Sequence, residues 1–211
     1  MAMAAARIDH VVRAVRDLDE AAVTLKNEFG LGSVVGGRHA GWGTGNRIVP
    51  LGPDYIELIA ILDPEEAGRS FLGRHLMEQL EGGDGFIGWC VAVDDVERHA
   101  ATLALDVTTG SRTRPDGTVL RWRSAGLQEA MVDPSVPFFI SWDVPPELHP
   151  GRAAADHASS PKGISWIEVG TDALRLKDWL DGEQLPVRVV GGPPGVLGVG
   201  IATDSGEIVL R

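Results

Sequence analysis

The sequence predicts an α+β fold built from repeated βαβββ units. Three stretches each run from an apolar, β-branched strand through an aspartate into a helical pattern: RIDHVVRAVRDLDEAAVTLKNEFGL, FIGWCVAVDDVERHAATLALDV and GISWIEVGTDALRLKDWLDGEQL. Their aspartates, Asp17, Asp95 and Asp172, follow one another at intervals of 78 and 77 residues. That interval is too long for a solenoid repeat and suits a duplicated supersecondary unit.

Each of the three aspartates directly precedes a helical pattern. A carboxylate at that position accepts the exposed amide hydrogens of the first helical turn, so we expect all three to cap their helices. In the first helix Leu18, Ala21, Ala22 and Leu25 fall on one face at helical spacing, which predicts a core-facing stripe.

Strand-like stretches separated by glycine, proline and aspartate follow each helix. We therefore predict a first unit over 5–62, a second over 85–143 and a third, shorter one over 163–211, together forming one compact molecule. Between them we predict a linker helix over 63–84 and an irregular loop over 144–162. The expected buried stripe of the linker helix is Phe71, Leu72, Leu76 and Leu80.

Composition narrows the classes of function. The chain has 211 residues, 44% of them hydrophobic, and a net charge of -11 that would repel nucleic acid. No segment approaches the roughly 20 apolar residues of a membrane span, and the apolar N-terminal run is too short for a signal peptide. One cysteine, Cys90, excludes an internal disulfide and is expected in the core. We predict a cytoplasmic protein whose partner is a small molecule.

The glycine-rich stretch GGRHAGWGTGNR, residues 36–47, has the composition of a segment that lines a ligand-binding site. Glycine lets backbone approach a ligand, an arginine fork suits a carboxylate or phosphate, and an indole can stack on a planar ligand. Strand alternation sends about half of the side chains outward. The candidate substrate-binding residues are Arg38, His39, Trp42, Thr44, Asn46 and Arg47. The alternative is a hairpin with a solvated basic face, while the spacing excludes a phosphate loop.

The stretches IDHVVRAVRDLDEAA, GGRHAGWGTGNRIVPLG and DYIELIAI resemble the first module of the glyoxalase-like branch of the vicinal oxygen chelate superfamily. GWCVAVDDVE, SRTRPDGTVLRWR and PFFISWD resemble its second module. The resemblance implies paired βαβββ modules whose mixed sheet curls into a half-barrel around a small-molecule or metal pocket, with helices outside. Members include lyases, isomerases, ring-cleaving dioxygenases and sequestering proteins, and they often dimerise, so a homodimer is one assembly to expect.

By this resemblance, His10 and Glu57 match the metal-binding histidine of a first strand and glutamate of a fourth strand, with one divalent ion as cofactor. Strand alternation independently places His10 with Ile8 and Val12, and Glu57 with Tyr55 and Ile59. Asn46 could join them in a mixed oxygen and nitrogen site. The alternative is a core histidine with Glu57 as its hydrogen-bond partner.

The second and third modules do not obviously supply another ligand pair. Gly88, Trp89 and Cys90 stand on the second module's first strand and Ser141 on its fourth, while the third module offers Trp166, Val209 and Glu168. Arg112 and Arg114 in SRTRPDG could present their side chains to an anion, but a proline-aspartate-glycine turn with flanking charge is most simply a solvated hairpin end. Four further histidines lack metal-like spacing and are expected on the surface: His75, His99, His149 and His157.

The leading prediction is an enzyme of lyase, isomerase or dioxygenase type that acts on a small oxygenated or carboxylated metabolite, with metal assistance left open. Glu57 would be the base or a ligand, His10 a ligand or the acid, and Arg38 or Arg47 the substrate anchor. The alternatives are a non-catalytic protein that binds or sequesters a small molecule, and a structural homologue that acts through a protein interface.

Overall fold

The computed structural model describes residues 6–114 and 116–211. The strands are β1 (Arg7–Ala14), β2 (Val34–His39), β3 (Thr44–Pro50), β4 (Tyr55–Ile61), β5 (Gly85–Ala92), β6 (Val107–Thr113), β7 (Val119–Ala125), β8 (Phe138–Trp142), β9 (Pro161–Gly170), β10 (Val187–Val190), β11 (Gly195–Thr203) and β12 (Gly206–Leu210). The helices are α1 (Leu18–Phe29), α2 (Pro64–Arg69), α3 (Phe71–Glu81), α4 (Val96–Leu103), α5 (Leu127–Val132) and α6 (Ala173–Trp179). None of these helices is long and apolar enough to cross a membrane.

The first two units share one mixed sheet of eight strands in the order β2-β3-β4-β1-β5-β8-β7-β6. In each unit the fourth strand runs parallel beside the first, β4 beside β1 and β8 beside β5, and an antiparallel β1–β5 pair joins the two halves. The edge strands β2 and β6 approach each other: a Cβ on Gly37 would lie 3.0 Å from the carbonyl oxygen of Thr113. The predicted α+β fold with a curled mixed sheet is confirmed, and the first two units close the barrel.

The third unit has the same order of elements but a different pairing of strands. Its four-stranded sheet runs β10-β9-β11-β12, with β10 parallel to β9 and β11 antiparallel on the other side of β9. This sheet lies against the barrel rather than extending it. Ile167, Val199 and Ile201 share one buried core with Trp89 and Val91 of β5.

The predicted aspartate caps are confirmed. Asp17 accepts hydrogen bonds from the amides of residues 19 and 20, Asp95 from the amide of Arg98, and Asp172 from the amide of Arg175. Each bond satisfies an amide that the first helical turn leaves without a partner.

The linker between the barrel halves contains two helices, α2 and α3. Leu76 is fully buried against Val12 and Ile59, so α3 covers part of the concave face of the barrel. The prediction that Phe71 is buried is wrong: its side chain is 49% exposed, because it is the first residue of α3.

The segment over 144–162, predicted to be irregular, contains two short 3-10 turns, Pro146–Leu148 and Pro150–Arg152. Gly151 packs so closely on the β3–β4 connection that a Cβ there would lie 2.5 Å from the carbonyl oxygen of Asp54. The segment is therefore a fixed part of the structure, and it brings His149 into the interior.

Candidate active site

Glu57 lies on the barrel-facing side of β4, within a cluster of polar side chains. Asn46 on the neighbouring β3 donates a hydrogen bond from Nδ2 to Glu57 Oε1 at 2.5 Å. The Nε2 atoms of His10 and His39 lie 3.8 Å from Glu57 Oε2 and Oε1, respectively. These separations exceed a hydrogen bond, so neither imidazole is the partner of Glu57. The Glu57 side chain is 15% exposed, so solvent reaches the carboxylate.

His10 is held by Asp9, its neighbour in the sequence. The Nδ1 atom of His10 lies 2.7 Å from Asp9 Oδ1, and Asp9 Oδ2 accepts a hydrogen bond from Trp142 Nε1 at 3.0 Å. Burial raises the pKa of Asp9, but hydrogen bonds and charge interactions with His10 and His149 outweigh it, and the pKa lies below its ordinary value. The ionised carboxylate occupies Nδ1 of His10 and leaves Nε2 facing Glu57.

His149 completes the surroundings of Asp9. Its Nε2 lies 2.9 Å from Asp9 Oδ2, and its Nδ1 accepts a hydrogen bond from the amide of Gly151 at 3.1 Å. The amide of Gly151 therefore occupies Nδ1, and Nε2 is the nitrogen that faces Asp9. The prediction that His149 lies on the surface is wrong, because the 3-10 turns carry it inward.

His99 also differs from its predicted surface position. It is 3% exposed on α4, and its ring lies 5.3 Å from that of Phe139. His75 and His157 are half-buried, and His157 accepts a hydrogen bond from the amide of Gly32. All three lie outside the Glu57 cluster.

A bulge in β1 explains why Asp9 and His10, adjacent in sequence, can contact each other. The β1–β5 register shifts between Ile8 and His10. The prediction that Ile8 shares a face with His10 is therefore wrong: Ile8 packs in the main core with Val11.

Among the predicted substrate-binding residues, His39, Thr44 and Asn46 lie in or beside the cluster. His39 Nδ1 is 2.9 Å from Thr44 Oγ1. Burial lowers the pKa of His39, Glu57 raises it and Arg112 lowers it, with a net decrease that favours the neutral imidazole. Trp42, in the β2–β3 turn, is 37% exposed, and its ring lies 5.7 Å from that of His39.

Arg38 and Arg47 are not brought to the cluster. Arg38 donates hydrogen bonds to Glu66 at 2.6 Å and to Asp63 at 3.2 Å, outside the barrel. Arg47 donates to Asp19 at 2.8 Å. Alternation along β3 accounts for Arg47, because its neighbour Asn46 takes the inward position.

Arg112 on β6 points into the barrel, contrary to its predicted place at a solvated hairpin end. It is 6% exposed, and its guanidinium has neither a hydrogen bond nor an ion pair within residues 6–114 and 116–211. Burial lowers the pKa of Arg112, and so does Arg114, while Tyr55 and Glu57 raise it; the net result is a decrease. Arg114 instead donates to the carbonyl oxygen of Leu148 at 2.7 Å. One sequence feature could have indicated this position. Arg112 lies on the same face of β6 as Gly110, and Gly36 and Gly37 of β2 leave space for its side chain.

Tyr55 forms another wall of the site. Its ring stacks on His10 with centroids 4.5 Å apart and planes 18° apart. Burial raises the pKa of Tyr55 well above its ordinary value, as do the charges of Asp9 and Glu57, so the hydroxyl stays protonated. No side-chain hydrogen bond of Tyr55 occurs in the described part of the chain.

Asp9, His10 and Cys90 could hold a metal ion, since each offers a ligand atom within 4.8 Å of the others. Cys90 pairs with His10 across the two halves of the sheet. Both oxygens of Asp9 already accept hydrogen bonds. Burial raises the pKa of Cys90 well above its ordinary value, with further increases from Asp9 and Glu57.

The place of Glu57 in the second half is taken by Ile140. Tyr55 pairs with His10 and precedes Glu57 by two residues, just as Phe138 pairs with Cys90 and precedes Ile140 by two. Ser141, expected at this place, donates instead to the carbonyl oxygen of Val93. The second half of the barrel thus supplies no carboxylate to match Glu57. Asn46 Oδ1 is a buried oxygen without a hydrogen-bond partner among the described residues, and it lies beside Glu57.

Trp166, Glu168 and Val209 of the third unit lie on the separate sheet and supply nothing to the cluster. Trp166 donates to Glu207, and Glu168 pairs with Arg211. Two open clefts of about 420 and 360 Å³ also involve this sheet. Neither contains a residue of the Glu57 cluster, and the convergence of buried polar groups marks the barrel interior as the stronger candidate.

Comparison with known proteins gives the following matches. The family profile described as a glyoxalase-like domain matches residues 8–182. No curated protein matches the sequence. The structure resembles a hypothetical protein from Staphylococcus aureus at 18% identity, covering 97% of this chain and 84% of that one, with a TM-score of 0.64. It also resembles a Streptomyces coelicolor methylmalonyl-CoA epimerase variant in complex with 2-nitronate-propionyl-CoA, at 16% identity, covering 67% of this chain and 100% of that one, with a TM-score of 0.50. At these identities the structural matches show the fold alone.

Proposed function

The chain belongs to the glyoxalase-like domain family, and we propose that it is an enzyme that removes a proton from a carbon beside a carbonyl group of a small oxygenated or carboxylated metabolite. One observation carries the proposal. The Glu57 carboxylate is oriented by Asn46, is reached by solvent, and faces two imidazoles without bonding to either.

Glu57 is the general base in this proposal. Asn46 fixes Oε1, so Oε2 is the oxygen available to accept the proton from carbon. When the carbon–hydrogen bond breaks, its electron pair moves toward the carbonyl oxygen, which becomes an enolate. Return of a proton from Glu57 to the same carbon regenerates the carbonyl.

His10 stabilises the developing enolate oxygen through Nε2. Asp9 keeps the ring oriented through Nδ1, as a buried carboxylate does for a catalytic histidine. The stacked Tyr55 ring limits the rotation of the imidazole.

A divalent ion is the cofactor that the family resemblance implies, and Asp9, His10 and Cys90, whose ligand atoms lie within 4.8 Å of one another, would hold it. One imidazole, one carboxylate and one thiolate with an open position form a set that suits a catalytic zinc-type ion. When bound, such an ion would polarise the substrate carbonyl as a Lewis acid. We expect zinc, manganese, iron or nickel to raise the melting temperature and a chelator to reverse the rise. A purified protein that carries no metal and gains no stability from these ions would contradict metal assistance.

Solvent-exchange measurements test the base. The wild-type protein is incubated in deuterated water with pyruvate, 2-oxobutyrate or methylmalonyl-CoA, and deuterium uptake is followed by mass spectrometry. We expect exchange with at least one of them and a loss of about 100-fold or more in Glu57→Gln. Glu65→Gln, at an exposed position on α2, is the matched control and should retain full exchange. Absence of exchange with the whole panel, or full activity of Glu57→Gln, would refute the proposal.

A second candidate is a protein that binds a small molecule without transforming it. Its support is the apolar second half of the barrel interior, where Trp122 and Trp142 have ring centroids 5.5 Å apart, beside Cys90 and Ile140. Stacking surfaces of this kind bind planar ligands. This function predicts ligand binding without any exchange in the deuterium assay, and an affinity that Glu57→Gln leaves almost unchanged.

A further inference from the structure

The Arg112 guanidinium is a buried charge without a partner in the protein. The residue is 6% exposed, yet its guanidinium forms no ion pair with a carboxylate and donates no hydrogen bond among the described residues. A buried unpaired charge is costly to a folded protein, unlike a surface arginine that water solvates. Such a group is retained at a cost to stability when a ligand uses it.

The neighbouring strand is built to leave room for this side chain. A Cβ on Gly36 would lie 2.8 Å from a guanidinium nitrogen of Arg112 and would collide with Asn46 Oδ1. A Cβ on Gly37 would lie 3.2 Å from Arg112 Cγ. The two glycines thus let Arg112 cross the junction between β2 and β6 and reach the interior.

The groups that face Arg112 leave donors available for an anion. Tyr55 and Glu57 on β4 act electrostatically on Arg112, as does Arg114 with the opposite effect, and none of the three forms an ion pair or a hydrogen bond with it among the described residues. The Tyr55 side chain likewise has no hydrogen bond within the described ranges. Arg38 and Arg47, in contrast, are already neutralised by acidic side chains outside the barrel.

We propose that Arg112 binds the carboxylate of the substrate through its guanidinium fork and so places the acidic carbon beside Glu57. The substrate class is a small carboxylic acid with a carbonyl group close to the carboxylate. The assignment of the carbon rests on the proposed function, whereas the carboxylate site itself does not require catalysis. A fork of parallel N–H donors matches the two oxygens of a carboxylate, which a single ammonium group does not.

Calorimetric titration of the full-length protein tests this site. The probes are pyruvate and 2-oxobutyrate, each compared with its neutral amide. We expect the wild type to bind at least one acid 10-fold or more tightly than its amide. Arg112→Met should lose that preference, and Arg112→Lys should retain only part of it. Arg121→Met, at an exposed position on the adjacent β7, is the matched control and should bind as the wild type does.

The melting temperature without ligand separates a binding role from a structural one. If Arg112 serves a ligand, Arg112→Met removes an unpaired buried charge and should melt at the wild-type temperature or above it. A marked fall in melting temperature for both Arg112→Met and Arg112→Lys would overturn the proposal, as would equal binding of acids and amides by the wild type. Acid binding through Arg112 without deuterium exchange would uphold this site and refute the proposed catalysis. Deuterium exchange that depends on Glu57 but not on Arg112 would support the proposed catalysis and refute the carboxylate site at Arg112.

Discussion

Asp9 is the residue on which the geometry of the site depends most. It is completely buried between His10 and His149 and also accepts a hydrogen bond from Trp142. These donors come from β1, from β8 and from the 3-10 turns that follow β8. One carboxylate therefore joins the first half of the barrel to the segment that covers its end.

We expect Asp9→Asn to lower the free energy of unfolding by about 2 kcal/mol near neutral pH, because charged hydrogen bonds to a buried group are lost. The folded-state pKa of Asp9 lies below its ordinary value of 3.8, so its contribution is fully present above that value and disappears as the pH falls through the folded-state pKa. Urea unfolding at about pH 7 and at about pH 3 should show the difference between wild type and variant shrinking at the lower pH. Asp106→Asn, at an exposed position, is the control. An equal difference at both pH values would contradict an ionised Asp9.

The structure brings His10, Glu57 and Asn46 together, as the sequence predicts, because alternation along a single strand decides which side chains share a face. It missed Asp9 because a bulge breaks that alternation. It placed His149 on the surface and favoured a solvated hairpin end for Arg112, because the positions of both depend on contacts between segments far apart in the chain, for which no local pattern exists. The occurrence of an arginine on a strand that faces a pair of glycines is the one signal that could have indicated Arg112.

At the scale of elements, β2 shows why the glycine-rich stretch has its composition. Gly36 and Gly37 are small so that Asn46 and Arg112 can occupy the interior beside them. The glycine-rich stretch, residues 36–47, borders the candidate site. Its glycines matter mainly because they leave space there for the side chains of other strands.

Gly36→Ala should therefore disturb the site directly. The added Cβ would collide with Asn46 Oδ1 and crowd Arg112, so we expect a loss of about 1 to 3 kcal/mol in stability and a loss of carboxylate binding of at least 10-fold. Gly85→Ala is the matched control, because a Cβ at that strand position meets nothing within 4 Å. Chemical denaturation and calorimetry measure the two effects. Unchanged binding by Gly36→Ala would contradict the account of β2.

The helices were the most predictable elements. Asp17, Asp95 and Asp172 act as caps because capping depends on residues only a few positions apart, a range that sequence patterns report well. The pairing of strands in the third unit was less predictable, because the same order of strands permits more than one sheet and the core contacts with β5 select among them.

At the scale of the whole molecule, Asp54 links the barrel to the third sheet. It lies just before β4, and both of its carboxylate oxygens lie 3.0 Å from the amide nitrogen of Ile164 on β9. Burial raises the pKa of Asp54 to about 7, with Ile164 and Arg7 acting in the opposite direction and the charge of Asp9 adding to the increase. The link is therefore protonated in the folded protein at mildly acidic pH.

Because the folded-state pKa of Asp54 is raised, the folded protein binds this proton more tightly than the unfolded chain does. The stability that Asp54 contributes is fully present below its ordinary value of 3.8 and is lost as the pH rises to about 7. We expect Asp54→Asn, which keeps an oxygen for the Ile164 amide, to remove a pH dependence on the order of 2 to 4 kcal/mol. Urea unfolding at several pH values across this window measures it. If the free energies of unfolding of wild type and variant changed in parallel with pH, the pKa of Asp54 would not be raised in the folded protein.

The sequence also predicts a homodimer and a cytoplasmic location, and both stay predictions. The edge strands β2 and β6 approach each other, so the two halves of one chain nearly close around Glu57. The candidate site is therefore formed within a single chain, whatever the assembly.

A crystal structure of the protein with a bound 2-oxo acid tests the central claim most directly, namely that the barrel interior around Glu57 is the ligand site. We predict that the carboxylate lies within hydrogen-bond distance of the Arg112 guanidinium and that the carbon beside the carbonyl faces Glu57 Oε2. A ligand bound instead in the clefts beside the third sheet, with no ligand in the space around Glu57 and Arg112, would contradict the account.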